Sequence, residues 1–162
     1  TLRPMMERRD DVALAIVGDG PYRGELEELF AGTRTTFPGF MEGEELASAF
    51  ASSDAFVFPS VTETLGLVIL EGMASGLPVI APRRGGPVDL VTPSRTGWLY
   101  TPGMLDELRD HAGDLLFDDA KRLAFGAAAL ESVRKRTWPV LAEQLRGYYR
   151  RAIEEHAGVP AR

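Results

Sequence analysis

The sequence predicts an α/β protein with a parallel sheet that carries helices on both faces. Short, continuous apolar segments alternate with helical segments up to residue 100, and turn residues separate them. Strands buried on both faces form continuous apolar runs, which is the pattern observed here. After residue 102 the chain predicts only helices. We therefore expect a single domain over residues 1–162, with 104–162 as a closing helical segment.

The predicted elements follow one another in an alternating order. Strands are predicted at 12–17, 35–37, 55–58, 77–81 and 97–100, and the apolar runs at 12–17 and 55–58 indicate buried strands. The helical segments lie at 2–9, 44–52, 65–74, 87–91, 104–116, 119–135 and 138–155. A further helix is expected to hold Pro21 in its first turn and to bury Leu26, Leu29 and Phe30 on one face. Gly76 is placed to end the 65–74 helix.

Composition excludes several kinds of site and partner. The chain has no cysteine, which rules out disulfides and cysteine-ligated zinc, and its two histidines are far apart in sequence, so we expect no metal site. A net charge of −6 argues against nucleic acid as a partner. The longest apolar runs are much shorter than the ~20 residues that span a bilayer. We expect a cytoplasmic protein.

The loops that follow the strands are the candidate ligand site, because open parallel sheets bind ligands at the carboxyl ends of their strands. These loops are 18–21, 38–43, 59–66 and 82–87. The third leads from a strand into a helix that is expected to begin near Leu65. Free N–H groups at a helix start bind anions, and a diphosphate fits such a position. Gly66 would let a ligand approach the backbone closely.

Two carboxylates flank this helix start. Glu63 precedes it and Glu71 lies about two turns inside, on the order of 10 Å further along the axis. A nucleotide sugar carries hydroxyls on both sides of its diphosphate, and carboxylates accept hydrogen bonds from hydroxyls. Alternatively, Glu63 only stabilises the helix dipole and Glu71 is solvated. Because the helix is otherwise apolar and residues 65–81 include no cation, we expect Glu71 to be partly buried and to need a ligand hydroxyl as partner.

Residues 60–81, SVTETLGLVILEGMASGLPVIA, resemble the motif of the retaining glycosyltransferases of family 4, the group 1 glycosyltransferases. Flanking pieces of the same family are resembled by residues 18–21, 38–40, 44–46, 84–91 and 97–99, so that the resemblance runs from about residue 11 to 155. It implies the Rossmann-like C-terminal half of the two-domain GT-B fold. It also implies that the first strand of that half, which lies mid-sheet, and the N-terminal acceptor domain are missing from this sequence, together with the basic pair that follows that strand.

The resemblance also implies roles for particular residues. Glu63 resembles the catalytic glutamate that contacts the donor sugar, and Glu71 the one that binds the ribose. The segment whose amides hold the sugar or the distal phosphate is matched by Thr64, Leu65, Gly66 and Leu67.

Further positions are implied at the edges of the site. Gly18 resembles a glycine near the diphosphate, and Phe40 and Met41 resemble the loop that borders the base. Arg83 and Arg84 could replace part of the absent basic charge as phosphate contacts, or they could be ordinary solvated arginines.

The implied reaction transfers a sugar from a UDP- or GDP-sugar, with retention at the anomeric carbon and without a cofactor or metal. The acceptor would be a glycolipid, a polysaccharide or another molecule. Residues 63–66 and 85–90 are similar to those of bacterial glycolipid enzymes, including mannosyl- and sulfoquinovosyl-transferases, so peripheral membrane association of the full-length enzyme is open. The chain alone is expected to be inactive.

Other functions are compatible with parts of the pattern. The chain could be a regulatory or degenerate nucleotide-binding module of GT-B type, or an epimerase-like domain for nucleotide sugars. A dinucleotide-binding dehydrogenase is disfavoured, because Arg23 replaces the last glycine of Gly-x-Gly-x-x-Gly. The apolar stripe of Trp138, Leu141, Leu145 and Tyr148 either crosses to the N-terminal domain or covers this domain's own sheet.

Overall fold

The computed structural model describes residues 1–157 and contains eight helices and five strands within them. The strands are β1 (Leu14–Val17), β2 (Thr35–Gly39), β3 (Phe56–Val57), β4 (Val79–Pro82) and β5 (Gly97–Tyr100). The helices are α1 (Arg3–Arg8), α2 (Arg23–Leu29), α3 (Gly43–Ala51), α4 (Leu67–Ala74), α5 (Pro87–Leu90), α6 (Leu105–Leu116), α7 (Asp119–Val133) and α8 (Trp138–His156). Every element predicted from the sequence is present.

All strand pairs are parallel, as predicted, but the hydrogen-bonded strands form two sheets. One sheet has the order β1-β2, and the other has the order β3-β4-β5. Within residues 1–157, β1 and β3 are thus each paired along one edge only.

The three-stranded sheet is covered on both faces, and β4 is buried along its whole length. Alternate residues of a strand point to opposite faces. Val79 and Ala81 pack in a cluster with Ile69 and Met73 of α4, with Leu99, and with residues of α7. Ile80 packs in a second cluster with Leu108 and Leu115 of α6. Apolar burial on both faces therefore holds this sheet between two helical layers.

The β1-β2 sheet does not meet the expectation of double burial. Leu14 and Ile16 are half-buried, whereas Ala15 and Val17 are exposed. In β2, Thr36 and Pro38 are likewise exposed. The apolar composition of residues 12–17 predicts a strand that is buried on both faces, and this prediction is wrong. An apolar composition indicates that a strand contributes to a core. Whether its second face is also buried depends on which other elements pack against the sheet.

Two helix starts differ from the prediction. Pro21 lies in a turn before α2, which begins at Arg23. None of the residues of α2 is buried, so the expected apolar face is at most partly covered. The helix α4 begins at Leu67 because Gly66 takes a left-handed conformation, with φ 78° and ψ 41°, which cannot continue into a right-handed helix. Gly76, with φ 79°, follows the end of α4 as expected.

The final helix packs little against the described domain. None of the residues of α8 is buried, and the Trp138 side chain is 79% exposed. Leu141, Leu145 and Tyr148 are also exposed. Of the two readings of this stripe, coverage of the domain's own sheet is therefore wrong. Within residues 1–157 no helix is both long and apolar enough to cross a bilayer.

The core predicts a contrast between two helical leucines. Leu115 is fully buried in the α6 cluster, whereas Leu123 of α7 is 67% exposed. Leu115→Ala should lower the free energy of unfolding by about 2–5 kcal/mol, since it removes buried methyl groups and leaves a cavity. The matched control Leu123→Ala should change it by less than ~1 kcal/mol. Chemical denaturation measures both, and equal losses would contradict the described core.

Candidate functional site

The loops after β3 and β4 pack closely against each other at Gly85 and Gly86. The Gly86 N–H donates to the Glu63 carbonyl oxygen at 3.1 Å. A Cβ atom at Gly85 would lie 2.2 Å from that oxygen, and one at Gly86 would lie 2.7 Å from the Thr64 carbonyl oxygen. These distances are shorter than any Cβ contact allows. The backbone of residues 63 and 64 can therefore approach the loop after β4 this closely only because positions 85 and 86 are both glycine.

The end of β5 joins the same group of loops. The Tyr100 hydroxyl donates to the carbonyl oxygen of Pro59 at 3.3 Å. Burial raises the pKa of Tyr100, which keeps the hydroxyl protonated as a donor. One residue further on, the Thr101 N–H donates to the Glu107 carboxylate at 2.6 Å. The carboxyl ends of three parallel strands are thus joined into one surface. No sequence pattern indicates that Tyr100 and Glu107 make these contacts.

The Glu63 carboxylate caps the loop that leads into α4. Its Oε1 accepts hydrogen bonds from the Leu65 N–H at 2.9 Å and from the Gly66 N–H at 2.8 Å. These backbone hydrogen bonds hold the pKa of Glu63 below its ordinary value. Two of the amides that were expected to face a phosphate are therefore occupied by a side chain of the same loop. The predicted alternative, in which Glu63 stabilises the helix start, describes this conformation.

Other groups at the helix start face solvent. Thr64 is exposed, as are the side chains of Leu65 and Leu67. Within residues 1–157 the Leu67 and Val68 N–H groups donate to no acceptor. The start of α4 thus has two occupied amides and two open ones.

Gly66 is glycine for reasons other than access for a ligand. Its positive φ is unfavourable for any residue with a Cβ atom. A Cβ atom there would also lie 2.8 Å from Cδ1 of Leu90. The space beside Gly66 is filled by the protein itself, so its backbone conformation and packing explain this residue.

Glu71 is exposed, and the prediction of partial burial was wrong. The buried residues of α4 are Ile69, Gly72 and Met73, which share one face of the helix. At 100° per residue, Glu71 lies on the opposite side of that face. No hydrogen bond or ion pair with another part of residues 1–157 engages its carboxylate. Its partner, if it has one, comes from outside the described chain.

The two arginines of the loop after β4 differ in their contacts. The Arg83 guanidinium donates to the Leu99 carbonyl oxygen at 3.1 Å. Its charge also contributes to a lowered pKa of Glu107, although the Thr101 backbone hydrogen bond is the main cause. The Arg84 guanidinium makes no hydrogen bond or ion pair within the described chain. Arg84 is therefore the freer of the two cations.

A second group of loops follows β1 and β2. The Gly18 N–H donates to the Gly39 carbonyl oxygen at 2.7 Å, so the Gly18 amide is already engaged. The Arg23 guanidinium donates to the Phe37 carbonyl oxygen at 2.9 Å and supports the end of β2. Phe40 is 75% exposed, and Met41 beside it is half-buried.

The predicted residues thus fall into two groups. One contains residues 63–67, 83 and 84, and the other contains Gly18, Phe40 and Met41. No hydrogen bond between residues of the described part of the chain joins the two groups. They lie on different sheets, at the same carboxyl end of the strands within each.

Two cavities of the described chain lie away from these residues. One of about 450 Å³ is lined by Thr92, Arg95 and Thr96, which precede β5. Another of about 250 Å³ is lined by Asp54, which precedes β3, by residues 75–78, which precede β4, and by Arg122 of α7. Both are at the amino ends of the strands, whereas parallel sheets bind ligands at the carboxyl ends. Within residues 1–157 no cluster of histidine and acidic side chains suited to a metal is found.

Comparison with solved structures assigns this arrangement to the GT-B glycosyltransferases. The structure of HepE from Anabaena in complex with UDP-glucose superimposes with a TM-score of 0.79 at 26% identity, over 91% of this chain and 43% of that one. The model of the family described as glycosyl transferases group 1 matches residues 1–118. The chain belongs to this family, which confirms the resemblance drawn from residues 60–81.

Curated relatives are similar over most of the chain. The sulfoquinovosyl transferase SQD2 of Arabidopsis thaliana is 41% identical over 148 residues, 90% of this chain and 29% of that protein. A GDP-mannose-dependent alpha-mannosyltransferase of Mycolicibacterium smegmatis is 43% identical over 145 residues, 90% of this chain and 38% of that protein. The chain thus spans between 29% and 38% of the length of these two relatives.

The contact of Gly85 and Gly86 with the Glu63 loop predicts that two glycine-to-alanine substitutions at positive φ have different effects on that loop. Gly85 (φ 66°) lies against the Glu63 carbonyl oxygen, whereas Gly32 (φ 81°) has open space around it. Both changes to alanine introduce backbone strain of about 1 kcal/mol or more. Only Gly85→Ala should also shift the amide NMR signals of residues 63–66. Unchanged signals at residues 63–66 would show that Gly85 does not pack against this loop.

The hydrogen bonds to Glu63 predict an acid-shifted titration. Carboxyl NMR should place its pKa below that of an ordinary glutamate, because both backbone donors favour the ionised form. Since folding lowers this pKa, the stabilisation is complete above the unfolded-state pKa and is lost as the pH falls through the folded-state value. A measured pKa at or above the ordinary value of a glutamate would show that the two hydrogen bonds are absent in solution.

Proposed function

We propose that this chain is the donor-binding part of a glycosyltransferase that uses a nucleotide-diphosphate sugar. The observation that carries the proposal is the Glu63 loop, which is held against Gly85 and Gly86 at the carboxyl end of the sheet. Further along α4, the Glu71 carboxylate is exposed and has no partner within residues 1–157. Family membership supports it. The relatives include a GDP-mannose-dependent enzyme, and HepE was solved with UDP-glucose.

The donor would lie across the carboxyl ends of the strands. Glu71 would accept hydrogen bonds from the ribose hydroxyls, which agrees with its exposed and unpartnered carboxylate. The open amides of Leu67 and Val68 would face the diphosphate, with Arg84 as the available cation. Gly18, Phe40 and Met41 would border the diphosphate and the base. The exposed ring of Phe40 suits stacking against a base.

The chemistry would be hexosyl transfer with retention at the anomeric carbon. Glu63 would orient the donor sugar and stabilise the positive charge that develops on it. Oriented amides and Arg84 would stabilise the diphosphate as it leaves, which is electrostatic stabilisation where negative charge develops. These groups supply that stabilisation without a metal ion.

The acceptor site would be formed with an N-terminal domain of the same enzyme. The exposed apolar stripe of Trp138, Leu141, Leu145 and Tyr148 would pack against that domain, because such a stripe on an amphipathic helix needs a partner surface. The chain alone would therefore be inactive. The acceptor would be a glycolipid, a polysaccharide or a related molecule, and the full-length enzyme would act in the cytoplasm, including at the membrane surface.

Nucleotide binding by the full-length protein tests the proposal. Isothermal titration with UDP, GDP, ADP and their sugar conjugates should show binding selective for one base. Glu71→Ala should weaken donor binding about tenfold or more, since a hydrogen bond to a charged group contributes about 1.5–3 kcal/mol. Glu131 of α7 is an exposed glutamate at the amino ends of the strands, and Glu131→Ala is the matched control that should leave binding unchanged.

Two results would contradict the proposal. Absence of binding to every nucleotide would remove the donor site altogether. Nucleotide binding without sugar transfer to any acceptor in a lipid and polysaccharide extract would instead favour the regulatory or degenerate module.

A further inference from the structure

Tyr100 places a hydroxyl in the apolar layer between the three-stranded sheet and α6. Its side chain is only 2% exposed and packs in a cluster with Ile80, Leu108 and Leu115. A phenylalanine would fill the same space without the free-energy cost of removing a hydroxyl from water. Packing alone therefore does not explain a tyrosine at this position. The hydrogen bond of its hydroxyl does, and that bond goes to the Pro59 carbonyl oxygen at 3.3 Å.

The backbone of Tyr100 is fixed on both sides. Tyr100 pairs with Pro82, the last residue of β4, and its carbonyl oxygen accepts the Arg83 N–H at 2.7 Å. The N–H of the next residue, Thr101, donates to the Glu107 carboxylate of α6. Because β4 lies between β3 and β5, the Tyr100 side chain reaches past the central strand to the loop after β3. Its hydroxyl is thus a rigid attachment point for that loop.

The first half of the Glu63 loop, residues 59–62, depends on this attachment. Backbone hydrogen bonds to β4 and to the loop after it hold the chain at Phe58 and again at Glu63. Between these two points, the Tyr100 hydroxyl makes the only hydrogen bond within residues 1–157 that joins residues 59–62 to another part of the chain. Three of these four residues are exposed, so packing restrains them little.

The helix α4 is held independently of Tyr100. Its residues Ile69 and Met73 are fully buried in the cluster on the opposite face of the sheet. The exposed Glu71 carboxylate and the open amides at the start of α4 therefore keep their positions whether or not the Tyr100 hydrogen bond is formed.

We propose that Tyr100 is a positioning residue for the sugar half of the donor site. This inference rests on the proposed function, in which the Glu63 loop contacts the donor sugar while α4 contacts the ribose and the diphosphate. The Tyr100 hydroxyl lies buried beneath the loop and does not touch the donor. It holds residues 59–62 in place before the donor arrives, and this lowers the entropy cost of ordering the loop on binding. Loss of the hydroxyl weakens only the contacts that this loop makes.

The test compares Tyr100→Phe with wild type in the full-length protein. This substitution removes the hydroxyl and retains the ring that packs in the cluster. Both forms are titrated calorimetrically with GDP, GDP-mannose, UDP and UDP-glucose. For the base that binds, Tyr100→Phe should bind the sugar nucleotide roughly 3–10-fold more weakly, which corresponds to one lost hydrogen bond. Its affinity for the nucleoside diphosphate should stay that of wild type, because α4 is unaffected.

Two control variants separate positioning from stability. Leu115→Ala weakens the same cluster but leaves the Tyr100 hydroxyl and Pro59 in place. At a temperature at which it stays folded, it should bind both ligands as wild type does. Tyr149→Phe removes the hydroxyl of an exposed tyrosine of α8 and should also match wild type.

An amide NMR spectrum of the ligand-free protein gives a second measurement. In Tyr100→Phe the N–H signals of Ser60, Val61 and Thr62 should shift, because this segment loses its attachment. Those of Ile69 and Met73 in α4 should stay in place.

The outcomes separate this inference from the proposed function. If Tyr100→Phe binds both ligands as wild type does, or weakens both equally, Tyr100 does not position the loop and the inference is overturned while the donor site stands. A loss in Leu115→Ala as large and as selective as that in Tyr100→Phe would also overturn it, as would unchanged signals at residues 60–62. If wild type binds none of the four nucleotides, the proposed function fails and the inference fails with it.

Discussion

The contact between the glycine pair after β4 and the backbone after β3 is the constraint on which the candidate site depends. Parallel strands end at the same edge of a sheet, but their loops diverge unless something joins them. Here a carbonyl oxygen lies only 2.2 Å from the place that the Cβ atom of any other residue at position 85 would take, and a hydrogen bond from Gly86 holds the two loops at this distance. The Glu63 side chain is thereby held at the start of α4. The orientation of its carboxylate toward the helix amides follows from this backbone contact.

Much of the fold was accessible from the sequence because it depends on local patterns. Alternating apolar segments and helices, with Gly and Pro between them, predict parallel strands without any knowledge of the partners. The strand at 97–100 was placed within its observed bounds, since Gly97 and Pro102 frame it. Burial of individual faces was less accessible. The same apolar composition produced a fully buried β4 and a half-exposed β1, because burial depends on which elements pack across each face.

The site shows the same limit for its two glutamates. Their spacing indicated that they belong to one helix start, but not which way either carboxylate points. Glu71 was expected to be partly buried because its neighbours are apolar, yet the buried face of α4 is set by Ile69, Gly72 and Met73, and Glu71 faces away from it. For Gly66 the sequence predicts a special backbone position but not the physical reason for the glycine. The left-handed conformation and the contact with Leu90 become visible only when α5 is placed beside it.

The Glu63 carboxylate also satisfies two of the N–H groups at the start of α4. Unpartnered N–H groups at a helix start attract negative charge, and a folded chain without ligand satisfies them from nearby. Glu63 is two and three residues before the amides that it caps, a separation its side chain spans without any backbone change. The position of the Glu63 carboxylate therefore follows from hydrogen bonds within its own loop, because the same short segment supplies both the acceptor and its two donors.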